Sequence, residues 1–213
     1  MKLSGSSILP TGNVKKLVVF LHGLGANGND LISLADEFAP HLPDTAFYSP
    51  NAPFPCDMAP YGYQWFSLKQ RMEEIMLEGI KIAAPILNAY LDGLLKEHKL
   101  NAKDLALVGF SQGTMMSLYL APRRAEPLAG IVGYSGALIA EGLMAKEVVS
   151  KPPICLIHGD ADSVVPYQAM QWAESALAAN HIPHETHTRP NLGHGIDGQG
   201  IEIAKKFLKK HLS

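Results

Sequence analysis

The stretch Leu105-Ala106-Leu107-Val108-Gly109-Phe110-Ser111-Gln112-Gly113 joins an apolar run to a serine flanked by glycines, and a helix-compatible segment, 114–120, follows it. This order predicts a strand, a sharp turn and a helix, with Ser111 on the turn. A serine held there in a strained backbone conformation exposes its hydroxyl, and the flanking glycines are needed because a Cβ would collide with neighbouring elements. A serine in a glycine-rich turn is often only a turn residue. The strand-turn-helix context favours a nucleophile.

A nucleophilic serine requires a base and an acid, because its hydroxyl reacts poorly near neutral pH. After an elbow of this kind, the acid precedes the histidine along the chain. The apolar run 153–158 leads into a loop that carries Asp160 and Asp162. Asp160 can cap the turn through its own backbone, whereas Asp162 lies deeper in the loop, so Asp162 is favoured as the acid. His194, between two glycines, is the candidate base.

Stabilising the oxyanion of an acyl-transfer reaction requires two backbone N–H groups. One is expected from Gln112, which follows the serine, and the other from a loop after an early strand. The apolar run 17–21 is followed by His22-Gly23-Leu24-Gly25-Ala26, in which Leu24 is the natural donor. A glycine-rich loop of this kind can also bind phosphate, but the lysine of a P-loop is missing.

The remaining histidines and cysteines do not predict a metal site. His184 and His187 are three residues apart in a predicted strand, where their side chains point to opposite faces, so they and the nearby His181 do not form a zinc site. Cys155 lies in an apolar strand and is expected to be a small buried residue, and no disulfide with Cys56 is required. We therefore expect no metal and no cofactor.

Alternating strand-like and helix-like segments predict an α/β protein with a mostly parallel central sheet and helices on both faces. A further short strand near 6–9 is expected to form an antiparallel edge. The stretch between Gly136 and Pro153 is too short for a large cap domain. The predicted strands are 17–21, 45–49, 105–110, 129–134, 153–158 and 184–189, and the best predicted helices are 71–98, 112–121, 167–180 and 197–212.

The chain has 213 residues, of which 47% are hydrophobic, and its formal net charge is −2. These values predict a single globular domain, 1–213, with a full hydrophobic core. The small negative charge argues against binding to nucleic acid or to an anionic membrane surface. The sequence shows neither a signal-peptide pattern in 1–10 nor an apolar run of about 18 residues. We therefore expect a cytoplasmic protein with no stable membrane insertion.

Four motifs occur in order along nearly the whole chain: L-H-G-L-G at 21–25, G-F-S-Q-G at 109–113, H-G-D-A-D-S-V-V-P at 158–166 and G-H-G at 193–195. With them, the sequence resembles the phospholipase/carboxylesterase family of α/β-hydrolases, and within it the bacterial carboxylesterases and acyl-protein thioesterases. The resemblance implies the α/β-hydrolase fold. It also implies a nucleophile, an acid, a base and two oxyanion-hole donors, which are Ser111, Asp162, His194, Leu24 and Gln112.

The resemblance extends to Trp65-Phe66, which look like the W-F segment of the family and are candidate substrate-binding residues. Many relatives have an aspartate after this pair, where this chain has Ser67. The surrounding segment 50–68 is rich in proline and aromatic residues, and two interpretations stay open: a packed Ω-loop or a wall of an acyl-chain groove. Met115 and Met116 are expected to fill the core behind the elbow.

Together these features predict a serine carboxylesterase or acyl-hydrolase that cleaves esters or thioesters through an acyl-enzyme. Small-molecule esters and thioesters are the expected substrates, and lysophospholipids and acylated proteins are open alternatives. The resemblance also implies a homodimer. Two other classes compete with this hypothesis, a catalytically silent binding protein and a metal hydrolase. The first usually lacks a triad residue, and here all the roles are filled.

Overall fold

The computed structural model describes residues 3–212. The strands among them are β1 (Gly5–Ile8), β2 (Lys16–Leu21), β3 (Thr45–Pro50), β4 (Phe54–Pro55), β5 (Tyr63–Gln64), β6 (Leu105–Phe110), β7 (Gly130–Tyr134), β8 (Ile154–Gly159) and β9 (His184–Arg189). Seven of these strands form one sheet in the order β1-β3-β2-β6-β7-β8-β9. All neighbouring strands in this sheet are parallel except β1, which pairs antiparallel with β3. The remaining two strands, β4 and β5, form a small antiparallel pair.

Helices cover both faces of the sheet, because alternate residues of each central strand are apolar on both sides. The helices are α1 (Gly28–Ile32), α2 (Leu34–Phe38), α3 (Glu73–His98), α4 (Gln112–Leu120), α5 (Met144–Glu147), α6 (Gln168–Ala179) and α7 (Gly198–His211). In β2, Leu17 and Val19 pack in a cluster with residues of α3, α4 and α6, whereas Val18 and Phe20 pack with residues of α1, α2 and α7. This arrangement confirms the predicted α/β fold.

The connection between β7 and β8 holds only a short 3-10 turn, Glu141–Leu143, and the four-residue α5. The prediction that no large cap domain is present is therefore confirmed. Within residues 3–212, no helix is both long enough and apolar enough to cross a membrane. Because the β7–β8 connection is short, no inserted domain covers the loops at the carboxyl ends of the parallel strands. Sheets of this kind usually form their ligand sites at these loops.

Three short α-helices, α1, α2 and α5, and two short strands, β4 and β5, have no counterpart in the predicted set. Helices α1 and α2 have five residues each, and the strands β4 and β5 have two residues each. Elements this short do not complete enough of a 3.6-residue or 2-residue repeat to stand out in a sequence. The start of α1 nevertheless carries a local signal, since Asn27 and Asp30 form a reciprocal capping box.

Candidate active site

Ser111 lies on a tight turn between β6 and α4, with φ 54° and ψ −114°. A left-handed φ is strained for a residue with a Cβ, and such strain is typical of functional sites. The glycines on either side are sterically required. A Cβ on Gly109 would lie 2.5 Å from the Thr114 nitrogen, and a Cβ on Gly113 would lie 1.8 Å from the Leu21 carbonyl oxygen. The predicted elbow is therefore formed, and its neighbours leave no space for larger residues.

The elbow is attached to the adjacent strand β7 by hydrogen bonds to one carbonyl. The Ser111 N–H donates to the Tyr134 oxygen at 2.9 Å, and the Thr114 hydroxyl donates to the same oxygen at 2.9 Å. Because neither bond uses the Ser111 side chain, the two bonds fix the turn and leave the hydroxyl available.

Asp162 and His194 form a short hydrogen bond, with His194 Nδ1 2.7 Å from Asp162 Oδ2. An ionised carboxylate only accepts, so the Nδ1 atom carries the proton and Nε2 is left as the basic nitrogen. The His194 ring packs against Phe110 at 4.9 Å between ring centroids. Ser111 and His194 line the same cavity. The structure thus brings together the three residues that the sequence predicts as nucleophile, acid and base.

The Asp162 carboxylate is held from several sides. Its Oδ1 accepts hydrogen bonds from the amides of Val164 and Val165 at 2.8 and 2.9 Å. The His158 Nε2 atom donates to the Val165 carbonyl oxygen at 2.9 Å and lies 3.3 Å from Asp162 Oδ2. Burial alone would raise the pKa of Asp162, but the hydrogen bonds from His194 and the two amides outweigh burial and hold the pKa below its ordinary 3.8.

Asp160, the competing candidate for the acid, has a different position. Its Oδ1 accepts a hydrogen bond from the Asn191 amide at 2.7 Å, which fixes the loop that leads to His194. Asp160 is exposed, whereas Asp162 is buried. The structure therefore pairs Asp162 with the histidine and leaves Asp160 as a support of the histidine loop.

The two predicted oxyanion-hole donors follow neighbouring strands: Leu24 lies on the loop after β2, and Gln112 lies at the elbow after β6. Gln112 is the first residue of α4, where a backbone N–H has no acceptor within the helix. Leu24 lines the same cavity as Ser111. The next amides in its loop, Gly25 and Ala26, donate to the carbonyls of Tyr63 and Gly23, but the Leu24 N–H meets no acceptor among residues 3–212.

His22 fixes the loop that carries Leu24. It is fully buried, its Nδ1 lies 2.7 Å from the Gly23 carbonyl oxygen, and its Nε2 accepts from the Ala52 amide at 2.9 Å. A carbonyl can only accept, so Nδ1 carries the proton and the ring is neutral. Burial lowers the pKa of His22, against the smaller opposing effect of the hydrogen bond to Gly23.

We expect His22→Gln to reduce the pH dependence of stability. The ordinary pKa of a histidine is 6.5, so His22 of the unfolded chain is protonated as the pH falls through this value. In the folded protein the pKa is lowered, and His22 is protonated only at a lower pH. The stability from this group is therefore complete above pH 6.5 and is lost as the pH falls towards the lowered pKa of the folded state. Urea unfolding at about pH 8 and about pH 5 measures the loss. If His22→Gln lost as much stability as the wild type between these two pH values, this role of His22 would be contradicted. His41→Gln is the control, because His41 is exposed.

Trp65 and Phe66, the predicted substrate-binding pair, have a structural position instead. Both are buried, with exposed fractions of 0% and 2%, and neither lines the cavity that contains Ser111. The Gln112 side chain bonds to the Trp65 amide at 2.9 Å and to the Phe66 carbonyl at 2.7 Å, and the indole N–H donates to the His22 carbonyl at 3.0 Å. The pair therefore connects the loop that carries Leu24 to the elbow that carries Gln112.

The cavity beside Ser111 has a volume of about 790 Å³ and is lined mainly by apolar side chains. Met115 is among them, so the expectation that Met115 only fills the core is wrong, while Met116 is fully buried as expected. Of the segment 50–68, only Leu68 reaches the cavity. The lining also contains residues that no sequence motif predicts as part of a pocket: Ala26, Arg71, Glu73, Met76, Ala137, Leu138, Ile139, Glu141, Val164, Val165, Pro166, Ala169 and Trp172.

The mostly parallel sheet, its two helical layers and the serine elbow define an α/β-hydrolase. A family model described as Phospholipase/Carboxylesterase matches residues 7–212, and the chain belongs to this family. Acyl-protein thioesterase 1 homolog 1 of Dictyostelium discoideum is 30% identical over 204 residues, which cover 92% of this chain and 90% of that protein.

Two further comparisons agree with this family. Esterase YpfH of Escherichia coli strain K12 is 26% identical over 202 residues, covering 94% of this chain and 84% of its own. The crystal structure of esterase PE8 superposes with a TM-score of 0.95 at 41% identity, and the match covers 100% of both chains. The predicted family and the predicted class of carboxylic ester hydrolase are thus confirmed.

Proposed function

We propose that the protein hydrolyses carboxylic esters and thioesters with apolar acyl groups through an acyl-enzyme on Ser111. In this proposal His194 is the base, Asp162 is the acid that orients it, and the amides of Leu24 and Gln112 form the oxyanion hole. The observation that carries the proposal is the 2.7 Å hydrogen bond between Asp162 and His194, in a site where Ser111 and His194 line one cavity.

The first half of the proposed reaction forms the acyl-enzyme. His194 Nε2 takes the proton of the Ser111 hydroxyl while the oxygen attacks the acyl carbon. The negative charge that develops on the carbonyl oxygen is stabilised by the Leu24 and Gln112 amides. The imidazolium then gives its proton to the departing alcohol or thiol as the bond to the acyl carbon breaks. Asp162, ionised because its pKa is held low, stabilises the imidazolium.

The second half releases the acyl group. His194 Nε2 takes a proton from a water molecule, whose oxygen attacks the acyl carbon and forms a second tetrahedral species in the same oxyanion hole. Collapse of this species breaks the bond to Ser111, and the proton returns from the imidazolium to the serine oxygen. The site is then restored for another turnover.

An apolar acyl chain fits the lining of the cavity. A volume of about 790 Å³ lies within the range of pockets that bind whole small molecules. The charged side chains that line it, Arg71, Glu73 and Glu141, are few beside the aliphatic and aromatic ones. Because no large cap covers the strand ends, the opening also admits a substrate with a bulky leaving group, such as an acylated protein or a lysophospholipid.

The experiment that tests the proposal is hydrolysis of a p-nitrophenyl ester series from acetate to palmitate, with an acyl thioester alongside. Each methylene that enters the apolar cavity contributes up to about 0.8 kcal/mol, so kcat/KM is expected to rise up to about fourfold per methylene until the chain outgrows the cavity. Absence of hydrolysis of every ester, together with absence of labelling by a fluorophosphonate probe, would favour a silent binding protein. A metal hydrolase would turn over the esters without being labelled.

Ala137→Leu is expected to move the optimum of this series to shorter acyl chains. Ala137 is half-buried and lines the cavity, so added methyl groups occupy space that the chain would fill. Ala176→Leu is the matched control, because Ala176 is also half-buried and lies on α6 but does not line the cavity. The same optimum in Ala137→Leu and wild type would show that acyl chains do not occupy this cavity.

A further inference from the structure

Strand β9, at the edge of the sheet, consists only of polar and charged residues: its sequence is His184-Glu185-Thr186-His187-Thr188-Arg189. In its parallel pairing with β8, Glu185 lies opposite Cys155, and His187 lies opposite Ile157. Residues two apart in a strand share a face. Cys155, Glu185 and His187 are therefore together on the face of the sheet that carries α7.

The three side chains converge on one point. One ligand atom from each, the thiol sulfur, a carboxylate oxygen and an imidazole nitrogen, lie within 4.8 Å of one another. His187 Nε2 is 3.2 Å from Glu185 Oε1. Cys155 is fully buried, whereas the side chains of Glu185 and His187 are 45% and 35% exposed. The thiol thus forms the floor of a small site that opens to solvent at the sheet edge.

We propose that Cys155, Glu185 and His187 bind a divalent transition-metal ion of the Zn²⁺ type. A thiolate, an imidazole and a carboxylate are the donors that Zn²⁺ takes in proteins, at about 2.3, 2.0 and 2.0 Å. Three ligands of this kind with a water molecule complete a four-coordinate ion. The donor atoms must approach one another by about 1 Å to reach tetrahedral spacing, and the two exposed side chains can do so by changing rotamer.

Hydrogen bonding is the competing explanation of the cluster. The Cys155 thiol can donate to the Glu185 carboxylate, and polar residues on an edge strand discourage pairing with other chains without any metal. Burial, followed by the nearby Glu185 charge, raises the pKa of the thiol, so the metal-free site keeps the Cys155 proton. Binding then releases it: the S–H bond breaks, the sulfur–metal bond forms, and the proton goes to solvent.

The site is separate from the proposed catalytic residues. Cys155 lies four residues before Gly159, the end of β8. At about 3.3 Å per residue, it is therefore about 13 Å from the carboxyl ends of the strands, where Ser111 and His194 lie. An ion there joins β8 to the edge strand β9 and stabilises their pairing. The proposal does not depend on ester hydrolysis.

The test is a cobalt titration of the purified, chelator-treated protein, followed by absorption spectroscopy, since a thiolate bound to Co²⁺ gives a sulfur-to-metal charge-transfer band. The band is expected to saturate at one Co²⁺ per chain and to disappear when Zn²⁺ is added. It is expected to be absent in Cys155→Ser. Loss of one ligand in His187→Gln is expected to weaken cobalt affinity by at least about tenfold.

The chain offers a matched control for each substitution. Cys56→Ser removes the other cysteine, and His184→Gln removes a histidine of the same strand that faces the opposite side; both are expected to keep the band. Because Cys155 is buried, circular dichroism reports whether its variant is folded, and the half-exposed His187 tests the site independently. No charge-transfer band in the wild type, or unchanged affinity in His187→Gln, would overturn the proposal.

Discussion

Ser111→Ala is expected to remove nearly all ester hydrolysis, with a loss of about 10⁶ in kcat if the triad acts as a unit. The reason is that alanine lacks the oxygen that forms the acyl-enzyme. The fold should persist, because the Ser111 hydrogen bond to Tyr134 uses the backbone N–H. Residual turnover is expected only from the oxyanion hole and substrate binding.

The measurement is kcat on the best p-nitrophenyl ester, with thermal unfolding as the check on folding. Ser117→Ala is the matched control, since Ser117 is also buried and also close to the elbow, where its hydroxyl donates to the Gly113 carbonyl at 3.0 Å. It is expected to keep near wild-type kcat. If a folded Ser111→Ala protein hydrolysed the ester at the wild-type rate, the nucleophile would have to be another group.

Asp162→Asn is expected to lower kcat by about 10⁴. An asparagine amide at this position can donate to His194 Nδ1, which favours the tautomer with the proton on Nε2, and that nitrogen then cannot accept the serine proton. The backbone amides of Val164 and Val165 can still donate to the oxygen of the new side chain, so the loop is expected to keep its conformation.

Asp160→Asn gives a sharp comparison, because the two aspartates are two residues apart in one loop. The side-chain oxygen of the introduced asparagine would still accept from the Asn191 amide, so kcat is expected to fall by less than about tenfold, as for a loop contact that is weakened but kept. Equal losses in the two variants would contradict the assignment of Asp162 as the acid. A larger loss in Asp160→Asn would reverse the assignment.

The sequence is most informative where local chemistry is unusual. The elbow requires glycines at fixed positions, and the acid and histidine loops carry their residues between a strand and a helix, so the sequence singles out Ser111, Asp162 and His194. The structure joins the last two by a hydrogen bond and places Ser111 and His194 at one cavity. The alternating segments also predict the sheet correctly, because the strands buried on both faces are continuous apolar runs. The antiparallel first strand, expected near 6–9, is found at Gly5–Ile8.

Contacts between residues distant in sequence are less predictable. Trp65 is a large aromatic residue near the site, but its burial beneath two loops depends on hydrogen bonds to Gln112 and His22. The acyl-cavity wall is assembled from several loops and helices, so no local pattern indicates it. The approach of Cys155 to His187 depends on the register of two strands joined through α6, and sequence spacing does not contain that register.

Val164 and Val165 have two structural roles. Their amides hold the Asp162 carboxylate, and the same residues line the cavity beside Ser111. A substitution here that shifts the backbone also moves the amides that hold the carboxylate, whereas Leu138, Ile139 and Met76 line the cavity without such a bond. Among descendants of this sequence, substitutions that change the acyl preference are therefore expected mainly at Leu138, Ile139 and Met76. Val164 and Val165 are expected to stay almost unchanged.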